Sequence, residues 1–384
     1  MESVTKQEQE NAPSVVGRFF LKRLLLIPLG LVALVATLYA QQNPDWTEHV
    51  YSLSVYPVVS TGVGFLPSLV GFSVAEWVGA LFLLFCLGYV VYYIRKIVVS
   101  KGERGMVAYR GVAGMIAIAC SVYFCFTLLC GLNYYRFTFT QYTGYEVEQS
   151  SVEDLDQLCA TLADDLGQAR EQLGESTDLF AFDSGDFDAC AQQSVMAIQM
   201  LAEQYPVLER PLYSEPKPVI ASELMSYAGI AGVFFPFTCE SNINVDVPMF
   251  TLPSTMAHEL AHQCGFMRED EANFIAYLAC MQTDDPLMHY SGLYLAFSHS
   301  ISALKKVDPE LASEILTGLS PAVQSDRERY RQHLAQYEGV ISDVSTSVND
   351  TYLKANNQTD GVGGYGRMVD LLLAEQSAAA DLIL

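Results

Sequence analysis

A chain of 384 residues holds enough material for two or three domains. It is 51% hydrophobic yet carries a formal net charge of −23, a pair of properties that one uniform soluble domain does not combine. Apolar and acidic parts must therefore be separated along the chain, and the acidic balance argues against nucleic acid as a partner, because phosphate backbones are bound with Lys and Arg.

Three uncharged runs come first: LLLIPLGLVALVATLYA (Leu24 to Ala40), WVGALFLLFCLGYVVYYI (Trp77 to Ile94) and GVAGMIAIACSVYFCFTLLCGL (Gly111 to Leu132). Each is near the ~20 residues that cross a bilayer as a helix. Transmembrane helices are therefore expected at about 24–40, 77–94 and 111–132. The first run has no clean small-x-small cleavage site, which favours an uncleaved span over a signal peptide. Lys6, Arg18, Lys22 and Arg23 precede it, the loop from Gln41 to Glu76 has no Lys or Arg, and the next loop carries Arg95, Lys96, Lys101, Arg104 and Arg110. The positive-inside rule then puts the N-terminus inside the cytoplasmic membrane and everything after Arg136 on its outer side. From Phe137 onward the chain has 37 acidic residues against 11 Lys/Arg. The division expected is a membrane region, 1–136, and an extracytoplasmic domain, 137–384. The uncharged part of the first outer loop, Tyr51 to Val70, either lies along the membrane surface or is an ordinary exposed loop.

The outer part reads as mainly helical. Apolar residues recur at helical spacing over Val152 to Leu173 and Ala189 to Tyr205. Between Lys217 and Phe250 three short strand-like runs appear, with Pro236 marking an edge strand or its end. After Pro286 helix-like segments return. The four cysteines in or at the ends of the spans read as small packing residues. Outside, Cys159 and Cys190 could form a disulfide between two helices, and the absence of CxxC spacing argues against a cysteine zinc site.

The chemistry is concentrated in STMAHELAHQCGFMREDEANFIAY, Ser254 to Tyr277. His258 and His262 stand at i and i+4 on one helix face, with Glu259 between them. This HExxH pattern aims two imidazoles at one Zn2+ and places a carboxylate beside it. A catalytic zinc needs a third protein ligand and one open position. Gly265 is a natural helix stop, after which the chain turns and a second helix begins near Glu269 with acids in its first turn. Glu271 can then face back to the histidines, with Ile275 and Leu278 packing on the first helix; Glu269 is the rival ligand. Glu259 is expected to act as general base in peptide-bond hydrolysis. Ala228 to Phe237 is the candidate edge for an extended substrate, or else core packing. For the oxyanion donor, Tyr365 in GVGGYG is the first choice and His289 and Tyr290 are alternatives. His299 and His333 read as structural or solvated.

EANFIAY resembles the second ligand helix of the glutamate-ligand zinc peptidases, the gluzincins, and this resemblance favours Glu271 as third ligand. Asn273 stands where that pattern carries Asp. More widely, GLNYYR (Gly131 to Arg136), PFTCESNINV, LPSTMAHELAHQCGFMREDEANFIAYLAC and NDTYLKANNQTDGVGGYGRMVDLLL resemble an uncharacterised bacterial family of membrane-anchored zinc metallopeptidase-like proteins, known as a domain of unknown function. The resemblance implies three transmembrane helices followed by a mainly α, α+β gluzincin-like domain with a small sheet. It also implies metallopeptidase activity on a peptide or protein substrate. A zinc-binding membrane sensor or scaffold without turnover is the alternative.

Overall fold

The three uncharged runs form helices in the computed structural model, which describes residues 21–174, 177–339 and 366–381 together with positions 342, 344 and 347. Lys22–Gln42, Val74–Val99 and Arg104–Leu129 are long and apolar enough to cross a membrane. We call the helical parts α1 (Ile27–Gln42), α3 (Val74–Val99) and α4 (Arg104–Leu129). The third ends three residues earlier than expected. Cys130 leaves helical geometry, and a 3₁₀ turn, Gly131–Tyr135, follows.

The chain forms two compact units. Among the described residues, one comprises those up to position 42 and 77–128, and the other 43–76 and those from position 129 on. The boundary expected at 136/137 thus falls at 128/129, and the first outer loop belongs to the second unit. In the first unit, Arg23 ties the helices together: its Nη1 donates to the hydroxyls of Tyr89 (3.1 Å) and Tyr93 (3.0 Å) and to the Arg110 carbonyl (2.9 Å). A guanidinium with three acceptors is a low-cost way to hold a cation at a span end.

The second unit is mainly helical around a small sheet. α5 (Val152–Gln172) and α6 (Ser184–Gln204) each start with a reciprocal capping box, Ser151 with Asp154 and Asp183 with Asp186. α10 (Pro286–Val307), α11 (Pro309–Gly318) and α12 (Pro321–Ala335) each open with a proline behind an Asp or Ser cap. α13 (Arg367–Asp381) returns to the core through Met368, Val369 and Leu371–Leu373. Leu155, Leu162 and Leu166 of α5 share one buried cluster with Ala296, Phe297 and Leu304 of α10. Within it, Arg170 Nε bonds Asp326 Oδ2 at 2.6 Å, and the same oxygen accepts from the Tyr290 hydroxyl at 2.9 Å.

The sheet has three strands, β1 (Lys217–Pro218), β2 (Gly232–Phe235) and β3 (Glu240–Ile243), in the order β1-β3-β2, with the short helix α7 (Ser222–Tyr227) between β1 and β2 in the chain. β1 runs parallel to β3, and β2 runs antiparallel to it with Gly232 opposite Ile243 and Phe235 opposite Glu240. β2 is an edge and stops one residue before Pro236, where the missing amide would break a ladder. Cys159 and Cys190, considered as a disulfide, are both free thiols and pack in different clusters.

The loop 43–76 is neither extended nor irregular. Thr47–Val55 is wound as a π-helix and runs into α2 (Tyr56–Gly64). A stripe of Glu48, Ser52, Tyr56, Ser60 and Gly64, every fourth residue, is buried. Glu48 is fully buried. It accepts from Arg136 (Nε 3.0 Å, Nη2 2.5 Å), the Phe137 amide (3.0 Å) and the Tyr142 hydroxyl (2.6 Å). Further along, Glu240 of β3 accepts from the Val74 and Ala75 amides at the start of α3 and from Lys217 Nζ. A carboxylate at a helix N-terminus satisfies amides that have no intrahelical partner.

Candidate metal centre

The helix carrying HExxH is α8 (Leu252–Gln263), with Pro253 in its first turn and almost every side chain buried. Its end is set by Gly265 at φ +87°, a left-handed conformation that suits glycine. The Gly265 amide bonds the His262 carbonyl (2.9 Å) and the Phe266 amide reaches back to Ala261 (3.2 Å), the paired closure of a Schellman turn. A Cβ on Gly265 would lie 3.1 Å from Arg136 Nη1 and 3.2 Å from the Tyr56 ring. The chain then reverses through Met267 and Arg268 into α9 (Glu269–Met281).

The last carbonyls of α8, which have no partner inside the helix, are held from outside it. The Tyr56 hydroxyl donates to Gln263 (3.2 Å) and His262 (3.4 Å), Arg136 Nη1 donates to Cys264 (3.1 Å), and Arg210 Nη1 donates to Gln263. Two guanidinium groups thus lie at the negative end of the helix dipole.

His258 and His262 project together, with ring centroids 4.6 Å apart and planes at 87°. The carboxylate that meets them is Glu269, 3.1 Å from His258 Nε2 and 3.7 Å from His262 Nε2. The expectation of Glu271 is corrected here. Glu269 is the first helical residue of α9 and faces α8; two residues on, a side chain points about 200° round the helix. Glu271 is buried and pairs with Arg268 Nη1 at 3.2 Å. Among the described residues, His258, His262 and Glu269 form the group able to hold a metal ion.

Both histidines are oriented through Nδ1. His258 Nδ1 is 2.8 Å from Asn273 Oδ1, and His262 Nδ1 is 2.7 Å from the Phe266 carbonyl. An Nδ1–H donated to each oxygen turns both Nε2 atoms toward Glu269, where a deprotonated ring could offer its lone pair to a metal. Asn273 therefore keeps an orienting role with a neutral acceptor, and it shares a helix face with Glu269 at i and i+4.

The residues fit a zinc ion on their own geometry. Ligand atoms of a tetrahedral zinc at ~2.1 Å lie roughly 3.3–3.5 Å apart, and the distances from Glu269 to the two imidazoles, 3.1 and 3.7 Å, bracket that. The donor set of two histidines and one carboxylate leaves a fourth position open. Glu259, 3% exposed, has a buried Oε2 with no hydrogen-bond partner among the described residues. An orphan acceptor of this kind beside a metal site suits a water held there.

Protonation follows from burial and mutual charge. Burial opposes a charged His258, but the hydrogen bond and charge of Glu269 outweigh it and raise the ring to about 9. Burial, aided by the charge on His258, lowers His262 to about 4. Burial pushes Glu259 up to about 8 against the pull of His258. Burial works against an ionised Glu269, yet the His258 hydrogen bond and the two rings hold it at about 2.

These side chains open into a cleft of about 550 Å³. β2 forms one wall: Gly232, Val233 and Phe234 line it, with Ala228 to Ala231 leading in. Gly232 is required there, because a Cβ would sit 2.6 Å from Glu259 Oε1. Cys130, Tyr134, Met267 and Leu295 also line the cleft.

Of the oxyanion candidates, Tyr290 is committed to Asp326 in the core, and neither it nor His289 lines the cleft. Tyr365 lies outside the described residues. His333 bonds the Asp246 carbonyl. His299, one turn beyond Leu295, is held below the ordinary imidazole value by burial, with a smaller push from the charge of His258, and it does not line the cleft.

No curated protein and no solved structure matches the chain. A family model described as a protein of unknown function, DUF3810, matches residues 51–373, a span that takes in 43–76 from Tyr51 onward, the group of His258, His262 and Glu269, and the start of α13, and the chain belongs to that family.

Proposed function

We propose that this chain is a membrane-anchored, zinc-dependent metallopeptidase that hydrolyses peptide bonds on the outer side of the cytoplasmic membrane. The observation that carries it is the convergence of His258 Nε2, His262 Nε2 and the Glu269 carboxylate beside Glu259, whose Oε2 has no hydrogen-bond partner among the described residues, in a cleft walled by a strand edge. The gluzincin-like pattern is then HExxH with Glu269, not Glu271, as the third ligand. The asymmetry of Lys and Arg around the three apolar helices supports the outward placement.

His258, His262 and Glu269 would hold the zinc, which when bound supplies Lewis acidity to a carbonyl and makes water acidic enough to attack near neutral pH. Glu259 takes the proton at Oε2 and returns it to the departing amine. Its burial keeps the carboxyl basic, so it accepts a proton readily and still releases it. Asn273 and the Phe266 carbonyl keep the two rings turned. β2 has a ladder partner on one side, β3, and its other side borders the cleft. An extended peptide adding along Gly232–Phe235 is held by backbone bonds, with no side chain at Gly232 to block its approach to Glu259.

The test is Glu259→Gln, which keeps volume but cannot accept the proton. Zinc content and cleavage of a peptide library are measured on the same preparations of the full chain. Zinc content should equal wild type while hydrolysis falls on the order of 10²–10⁴-fold. Zinc held by both forms with no cleavage by either supports a sensor or scaffold instead. A variant that cleaves at the wild-type rate excludes Glu259 as the base.

A further inference from the structure

The run from Val50 to Phe72 contains no Asp, Glu, Lys, Arg or His. Its buried stripe faces the rest of the second unit, where Tyr56 holds the end of α8. Its opposite face carries Val50, Leu53, Val58, Phe65, Leu66, Leu69 and Phe72, all exposed; Val58, Leu66 and Leu69 are 69%, 71% and 66% exposed. Large aliphatic side chains this bare, side by side and without a charge among them, mark a surface that has a partner.

The partner is fixed by the ends of the segment. Gln42 ends the first candidate span and Val74 begins the second. Phe72 is two residues from Val74, about 7 Å of chain at most, and Val50 is eight from Gln42, about 28 Å at most. The face is therefore tethered at both ends to helices whose own composition suits hydrocarbon. A helical element with one apolar face and one face satisfied by protein is the form that lies in the plane of a bilayer.

We propose that the apolar face of 50–72 is seated in the headgroup–acyl boundary of the lipid leaflet on the side of the metal centre. The same element then has lipid on one face and the carboxyl end of the metal helix on the other. The idea rests on reading the three apolar helices as spans. It deepens the peptidase reading by placing substrate encounter at the bilayer surface, so that membrane-proximal peptide segments become the substrate class.

Photocrosslinking tests the seating without any need for hydrolysis, so its outcome is separate from that of the peptidase proposal. The photoreactive residue p-benzoylphenylalanine is placed at Val58, Leu66 or Leu69 of the full chain in phosphatidylethanolamine–phosphatidylglycerol vesicles, and at Glu314 on exposed α11 as reference. All four positions point outward, so folding is preserved, and a melting curve of each variant that matches wild type verifies it. Lipid adducts detected by mass spectrometry should be at least tenfold more abundant at the three apolar positions than at Glu314. Equal yields at all four positions, or a covalent dimer with a second copy in place of lipid, overturn the proposal.

Discussion

Zinc affinity should depend on pH with a slope that the charge state of the centre dictates. In the metal-free chain four groups matter, and between pH 6.5 and 8 they divide evenly. His262, lowered to about 4, is already neutral, and Glu269, lowered to about 2, is already ionised. His258, raised to about 9, holds a proton that must leave before Nε2 can bind a metal. Glu259, raised to about 8, holds a second proton that an arriving dication expels. Metal binding releases the protons that ligands and neighbours carry, so the apparent affinity should rise about tenfold per pH unit for each. Wild type should approach a hundredfold per unit near pH 7, easing as pH passes about 8 and again about 9. In Glu259→Gln the second proton is absent and the slope should fall to about tenfold. The assay is zinc titration of the full chain in detergent against a competing chelator. Proton release is checked by calorimetry in two buffers of different ionisation enthalpy. With His258 at an ordinary value of ~6.5 and Glu259 near 4.3, affinity would be nearly flat above pH 7; a flat line refutes the charge assignment, and an unchanged slope in Glu259→Gln refutes the role given to Glu259.

Glu269→Gln should strip zinc from the centre, whereas Glu271→Gln should keep it and lower thermal stability by leaving Arg268 poorly paired; zinc analysis and a melting curve of each variant decide. Gly265→Ala should destabilise the unit by at least ~1–2 kcal/mol, the cost of a Cβ in left-handed backbone, with a further penalty from the contact at Arg136. An unchanged melting temperature would mean that the turn tolerates a side chain.

The parts legible in the sequence are those set by local pattern. Uncharged runs near 20 residues announced the three apolar helices, because hydropathy is read from consecutive residues. His258, Glu259 and His262 were legible because i, i+4 spacing fixes a shared face wherever the helix sits. The strand texture between Lys217 and Phe250 gave three short strands, with the edge ending at Pro236. Which carboxylate meets the two histidines was misread for a physical reason. Glu269, Asp270 and Glu271 all satisfy the dipole of a helix N-terminus equally well, so charge preference cannot set the register. The usable signal was Asn273, which is at i+4 from Glu269 but only i+2 from Glu271. The helical loop 43–76 was illegible because its anchors are distant: Glu48 meets Arg136 across 88 residues. No local pattern encodes such a pairing.

The grip of Tyr56 on Gln263 spans 207 positions of sequence, and it belongs to a unit that is discontinuous in the chain. Residues 77–128 are an insertion within it. A chain growing from its N-terminus makes 43–76 long before its docking surface exists, so the unit cannot close until α8 has been synthesised. Its assembly is therefore late, with a large loop to close. A fragment beginning at Phe137 would omit Arg136, Tyr56 and Glu48 together. It would retain His258, His262 and Glu269 and still lose two of the three side chains that hold the carboxyl end of α8 from outside, keeping Arg210. Production of the part after Arg136 alone is thus a poor route to a faithfully folded unit; the smallest continuous stretch that holds all of it begins at Asn43 and keeps the helices in between.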